Sequence, residues 1–285
     1  MFWKRLASGI VLLVVAIAGI ALGGYVLAGL LLLISLIAYT ELTKVLAGEE
    51  KYRPSAPDVI GLCAVASYYV LTVLSYHPTG AMGEAVLSQL GYWAVLTAVF
   101  VLAELFAYVL KFPAYDADRI AGAVFSFFYA PVMLSFLYLL RELPGRSFLV
   151  WLVLISSWGC DTCAYCVGKL IGKRRIFPVL SPHKSLEGCI GGVLGAALIA
   201  FLYGVFYVNR VLGETGMTVP LLIALVAAVG AVMSMVGDLA ASAIKRNKNI
   251  KDYGRLIPGH GGIMDRFDSV IVTAPATFLL VVLLI

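Results

Sequence analysis

Charge is scarce in this sequence. Asp, Glu, Lys and Arg make up 13% of its 285 residues, hydrophobic residues make up 62%, and the mean hydropathy is +0.99. A water-soluble globule of this length has no use for so much apolar side chain, which leaves an integral membrane protein. Alternation of polar and apolar residues is also missing, and that excludes a membrane barrel, whose strands read as short alternating segments. No basic run is interleaved with aromatics in the manner of a nucleic-acid groove, so nucleic acid is not an expected partner. Five cysteines include Cys160, Cys163 and Cys166, but no fourth cysteine with a following proline completes an iron–sulfur signature. Inside an apolar helix such small, soft side chains read as packing. The internal repeat that marks many transporters is absent.

What is present is a series of long apolar runs. A helix needs about 20 such residues to cross the hydrocarbon. About nine segments qualify, near residues 7–22, 25–42, 58–76, 88–110, 119–140, 147–168, 186–208, 218–240 and 267–285. The expected fold is all-α and polytopic. Lys4 and Arg5 precede the first run, but Gly23 and Gly24 lead directly into the second, so the pair reads as a retained helical hairpin and not as a cleaved leader. With the N-terminus cytoplasmic, 18 of the 21 lysines and arginines fall on the cytoplasmic side, leaving Arg141, Arg146 and Arg210 outside. The net charge of +5 then collects on the face where anionic headgroups and nucleotides lie.

The character of the chain changes near residue 145. Residues 1–145 read as a lipid-facing scaffold, in which Glu104 is the acidic residue well inside a span, a carboxyl hydrogen-bonded in the bundle. Residues 146–285 carry charges of both signs near helix ends. Asp161 and Tyr165, four apart, face one side of a helix. In "SPHKSLEG", Pro182 breaks the chain, Ser185 suits an N-cap and Glu187 lies in the following first turn. Ser234, Asp238, Ser242 and Lys245 form one polar stripe. A carboxylate in hydrocarbon must be paired or line a wet cavity, so for Asp161 and Asp238 an internal ion pair with a neighbouring helix is the plain alternative to a functional role. Asp265 and Asp268, three apart, share a helical face. Together with Asp238 they supply hard oxygen donors of the kind magnesium takes. Nearby lysines and arginines neutralise polyphosphate, so the expected ligand is a nucleotide or pyrophosphate. In "PGHGG", Gly259, Gly261 and Gly262 permit positive φ and leave amides to form a phosphate nest, flanked by His260; a tight turn without a ligand is the alternative.

The stretch from Ser242 to Ser269, SAIKRNKNIKDYGRLIPGHGGIMDRFDS, together with Asp161 to Gly188, DTCAYCVGK…GK…SPHKSLEG, resembles the signature of the CDP-diacylglycerol synthases, also called phosphatidate cytidylyltransferases. The likeness covers much of the second half; the first half matches only as a hydrophobic bundle. Cys163 and Cys166 depart from the aromatic or small residues of the pattern. The resemblance implies that CTP and phosphatidate give CDP-diacylglycerol and pyrophosphate, with magnesium, at the inner face of a bacterial cytoplasmic membrane.

On that basis Asp238 and Asp265 are expected to hold the metal, with Asp268 a further ligand or an orienter of Arg266 or a lysine; a second cation would complete a clamp on attacking and leaving oxygens. Lys245, Arg246, Lys251 and Arg266 are expected on the triphosphate and Lys184 on a substrate phosphate. Asp161, Ser181, Asp252, Gly259, His260, Gly261 and Gly262 would line the substrate cavity. Lys173, Arg174 and Arg175 read as membrane-surface anchors. A CTP-using enzyme with an isoprenoid acceptor and a phosphate or nucleotide transporter are the rival readings. The run Gly191–Leu198, GGVLGAAL, suits either a homodimer contact or packing within the chain.

Overall fold

A computed structural model describes residues 2–48, 54–75, 82–213, 215–257 and 261–285. Among these there is no strand, only isolated bridges between Arg175 and Ser185 and between Ile257 and Gly261. The helices are α1 (Phe2–Leu22), α2 (Gly24–Ala47), α3 (Ala56–Ser75), α4 (Met82–Leu110), α5 (Ala117–Arg141), α6 (Ser147–Ile171), α7 (Leu186–Leu212), α8 (Thr218–Asn247) and α9 (Met264–Leu284). Eight of them, α2 to α9, contain stretches long and apolar enough to cross a membrane; α1 contributes the shorter apolar stretch Ser8–Leu22. The protein is an all-α polytopic membrane protein. On α4, Val95, Val99, Leu102, Phe106 and Val109 are exposed on the protein surface, which is the expected state of side chains whose solvent is lipid.

The chain packs as two units. One comprises Met1–Tyr138 with Asp252–Asp265, the other Leu139–Lys251 with Arg266–Ile285. In the first unit, α2 and α3 approach closely because Gly61 has no side chain: a Cβ there would lie 1.8 Å from the Tyr39 hydroxyl oxygen. Interhelical hydrogen bonds join Ser35 to Tyr69 at 2.8 Å and Tyr68 to Ser135 at 2.9 Å, the polar contacts that hold apolar helices together where lipid offers no hydrophobic drive. At the start of α3, Asp58 Oδ2 accepts from Ser55 N at 2.8 Å and from the Ser55 hydroxyl at 2.7 Å. The same carboxylate pairs with Arg119 at 3.0 Å. Glu104 is fully buried, as expected, but neither of its oxygens finds a hydrogen-bond partner among the described residues. Pro131 sits in a π-helical turn, Phe128–Val132, within α5, where a missing N–H interrupts the regular ladder.

In the second unit, α6 and α7 pack through glycines. A Cβ on Gly191 would lie 2.6 Å from Val167, one on Gly192 2.9 Å from Cys160 Sγ, and one on Gly195 2.5 Å from Cys163 Sγ. Cys160 is fully buried with Ala196 and Ala231. Cys160 and Cys163 are therefore packing residues, Cys166 is exposed, and the small-residue run from Gly191 is used within the chain. Further π turns interrupt α6 at Ile155–Gly159 and α7 at Gly204–Val208.

Candidate functional site

The segment between α6 and α7 is built to hold Lys184 over the second unit's polar cavity. Ser185 caps α7, accepting from Gly188 N at 3.2 Å, as the sequence suggests. Glu187 in the first turn reaches back to accept from Lys173 N at 3.0 Å and Arg174 N at 3.2 Å. Backbone bonds from Leu186 N to Arg174 O at 2.8 Å and from Ile176 N to Lys184 O at 3.3 Å close the segment on itself. Gly172 has no room for a Cβ, which would lie 2.5 Å from Ser185 Oγ. The Arg175 guanidinium donates to the His183 carbonyl. Lys184 is thereby fixed from both sides.

Its ammonium meets Asp238 of α8 in an ion pair. Gly237, beside that aspartate, lets α8 approach α9: a Cβ there would lie 2.6 Å from the Asp268 carbonyl oxygen. Asp161 and Asp268 both fall within electrostatic reach of Asp238, and Lys245 within reach of Asp268. Next to this group opens a cavity of about 440 Å³ lined by Asp161, Tyr165, Lys169, Arg175, His183 and Lys184 among others. Asp161 and Tyr165 share that wall, as their spacing implies. Arg175, expected at the membrane surface, is exposed and also lines the cavity. Lys169 lies over the Tyr165 ring, 5.9 Å from its centroid. Ser234 is buried with its hydroxyl unpartnered among the described residues, and so is Arg266 Nε.

Helix α8 ends in a Schellman turn. Ile250 N bonds to Lys245 O at 3.0 Å and Asn249 N to Arg246 O at 3.1 Å, with Asn249 at φ 53°. Arg246 and Lys251 beyond it are exposed, as is Asp252.

The segment Asp252–Asp265 belongs to the first unit and has its own organisation. Asp265 is buried, and its Oδ2 accepts from Tyr253 N at 2.8 Å and Gly262 N at 3.0 Å. Glu41, on α2, accepts from Ile263 N at 3.2 Å through Oε1 and from Met264 N at 2.8 Å through Oε2. Gly261 has φ +86° and its carbonyl accepts from Ile257 N at 2.9 Å. The Gly262 amide, expected in a phosphate nest, thus donates to a carboxylate of the chain itself. Gly259 and His260 lie outside the described residues.

Among the described residues no three His, Cys, Asp or Glu side chains gather at metal-binding spacing. Asp238 and Asp268 nonetheless suit magnesium, which takes one or two carboxylates and completes its shell with water and phosphate oxygens.

A family model described as "Cytidylyltransferase family" matches residues 3–284. The chain belongs to the cytidylyltransferase family. Proteins called phosphatidate cytidylyltransferase are among the relatives of this family member. That of Thermotoga maritima is 36% identical over 65% of this chain and 67% of its own length. That of Haemophilus influenzae is 42% identical over 45% of this chain and 43% of its own. That of Staphylococcus aureus is 30% identical over 98% of both. Family membership makes the chain a nucleotidyltransferase. In this cytidylyltransferase the structure adds two residues, Glu41 on the amides of Ile263 and Met264 and His183 on the cavity wall. Glu41 closes an apolar run and looks like an ordinary interfacial charge, while His183 was visible in "SPHKS" between residues already singled out.

Proposed function

We propose that the chain converts CTP and phosphatidate to CDP-diacylglycerol and pyrophosphate, as the names of its relatives suggest, with its active site on the cytoplasmic face of a bacterial inner membrane. The observation that carries this reading is the cavity in which Lys184, Arg175 and Lys169 stand beside Asp161, on helices whose other surfaces are apolar. One wall suits a phosphorylated water-soluble substrate and the surrounding helices suit a lipid.

The phosphate monoester of phosphatidate is ionised near neutral pH, so its oxygen attacks the α-phosphorus of CTP without a strong base. The new P–O bond forms as the bond from the α-phosphorus to the bridging oxygen breaks, and the electron pair leaves with pyrophosphate. In this scheme Lys184, released from Asp238 by an incoming phosphate, neutralises charge on that phosphate, and Arg175 and Lys169 orient the anionic substrates. Lys245, Arg246, Lys251 and Arg266 are assigned to the triphosphate. Asp238, Asp268 and Asp265 are the proposed magnesium carboxylates; the amides on Asp265 are compatible with this, since ligating carboxylates are themselves hydrogen-bonded. When bound, magnesium would supply charge neutralisation at the phosphates.

The test is to incubate the purified protein with radiolabelled CTP, magnesium and either phosphatidate or an isoprenoid ether-lipid acceptor. Label entering the lipid phase with phosphatidate is the expected result. Label entering only with the ether lipid, or with neither, overturns the reading.

A further inference from the structure

Glu41 makes contacts that no substrate role has required of it. It is 9% exposed, sits on α2, and binds amides more than 220 positions further along the chain. Each of its oxygens takes one N–H, from Ile263 and from Met264, the residue that opens α9. A carboxylate there satisfies donors that a helix start leaves open and meets the positive end of the helix dipole.

The neighbouring glycines are shaped to this carboxylate. A Cβ on Gly254 would lie 2.1 Å from Glu41 Oε1, and one on Gly262 would lie 2.4 Å from both oxygens. Neither glycine has positive φ, whereas Gly261 does. Backbone conformation therefore explains Gly261 alone; Gly254 and Gly262 are small because Glu41 occupies the space. The same Gly262 donates to Asp265, so one carboxylate fixes the start of α9 and a second fixes the turn leading to it.

We infer that Glu41 is a positioning residue: it sets the segment Asp252–Asp265, and through it the place of the Asp265 carboxylate, without touching substrate. The inference rests on the reading that Asp265 serves nucleotidyl transfer.

The test uses the full-length protein in lipid vesicles, with Glu41→Gln, Gly262→Ala, Glu41→Ala and the double variant Glu41→Ala/Gly262→Ala. Gln accepts from one amide and turns an NH2 toward the other. Misplacement by about 1 Å costs roughly 100-fold in rate, so Glu41→Gln is expected to lower kcat to about that extent while KM for CTP stays within about two-fold. Gly262→Ala is expected to lose comparably, because its methyl displaces the carboxylate. In the double variant the losses should not multiply, because the atoms that bar the methyl are those of Glu41. Hydrogen exchange provides a readout independent of turnover: the Ile263 and Met264 amides should exchange about ten-fold faster in Glu41→Gln, with α6 and α7 unchanged. Unchanged kcat, multiplying losses or unchanged exchange overturns the inference. If the wild type makes no lipid product the proposed reaction fails, and exchange in the same four variants still decides whether Glu41 holds the segment.

Discussion

Replacing Lys184 with Met separates a structural ion pair from a substrate-binding cation. The stem is kept and the ammonium is lost. Asp238 is left within electrostatic reach of Asp161 and Asp268 with no counter-ion from the α6–α7 segment. Removing one partner of a fully buried pair costs about 3–5 kcal/mol. Here the Lys184 and Asp238 side chains keep 21% and 30% of their surface, so solvent screens much of the penalty and about 1–2 kcal/mol is expected in stability. A cation aimed at developing phosphate charge is worth more, because removing one such donor costs about 100- to 1000-fold in turnover.

The two quantities are measured separately. Retention of monodisperse protein after heating in detergent reports the first, and kcat/KM for label transfer from CTP to phosphatidate reports the second. Lys184→Met should lose modestly in heat resistance and heavily in kcat/KM, and Lys184→Met/Asp238→Asn should recover the heat resistance without recovering activity. A kcat/KM within ten-fold of the wild type would refute the placement of Lys184 at a reacting phosphate and leave it as a counter-ion for Asp238.

Asp238→Asn and Asp268→Asn should each abolish turnover at ordinary magnesium concentrations while the protein inserts and purifies normally; near wild-type activity with an unchanged magnesium dependence in either variant would refute its assignment as a ligand. The triple substitution of Cys160, Cys163 and Cys166 to Ala should keep kcat/KM within about three-fold, because small apolar side chains of similar volume replace Cys160 and Cys163 in the packed seam and Cys166 is exposed; loss of bound zinc or iron with activity would refute the packing role. Gly188→Leu should prevent recovery of folded protein, since even a Cβ would lie 2.9 Å from Ala164 O and 3.2 Å from Gly168 Cα, and a stable, active variant would show that α6 and α7 do not touch there. Lys44→Ala, exposed on α2 three residues from Glu41, should leave turnover within about two-fold; a large loss would mean that charge, and not the amide contacts, accounts for Glu41.

The spans were legible because membrane helices must be apolar along most of their length, and that constraint is written residue by residue. Their ends were less so. Helix α8 runs to Asn247 and α9 begins at Met264, beyond the apolar limits at 240 and 267, because helical hydrogen bonding continues past the point where hydropathy falls. Those extra turns carry Lys245, Arg246 and Asp265, so the difference bears directly on the site. The Ser185 cap was legible because its signal is local. Glu41 was not, because its partners are set by tertiary packing and a single glutamate ending an apolar run has no local signature. Of the π turns, Pro131 marks one, while those ending at Gly159 and beginning at Gly204 have no proline to announce them.

The glycines show how one residue type answers different physical demands within a short stretch of chain. Gly191, Gly192 and Gly195 are small so that a neighbouring helix fits against them. Gly254 and Gly262 are small so that a carboxylate fits, and Gly261 supplies a left-handed turn. Read from sequence, "PGHGG" offers free amides to a phosphate; in the structure the amides at Gly262, Ile263 and Met264 are already taken by Asp265 and Glu41. A phosphate arriving at that turn would have to displace a carboxylate that is both charge-repelling and tightly held. The cavity beside Lys184 also contains a carboxylate, Asp161, but sets three cations beside it: Lys169, Arg175 and Lys184, the last paired with Asp238. In the proposed reading the cations around the α6–α7 segment meet a substrate phosphate, while the amide of Gly262 holds Asp265.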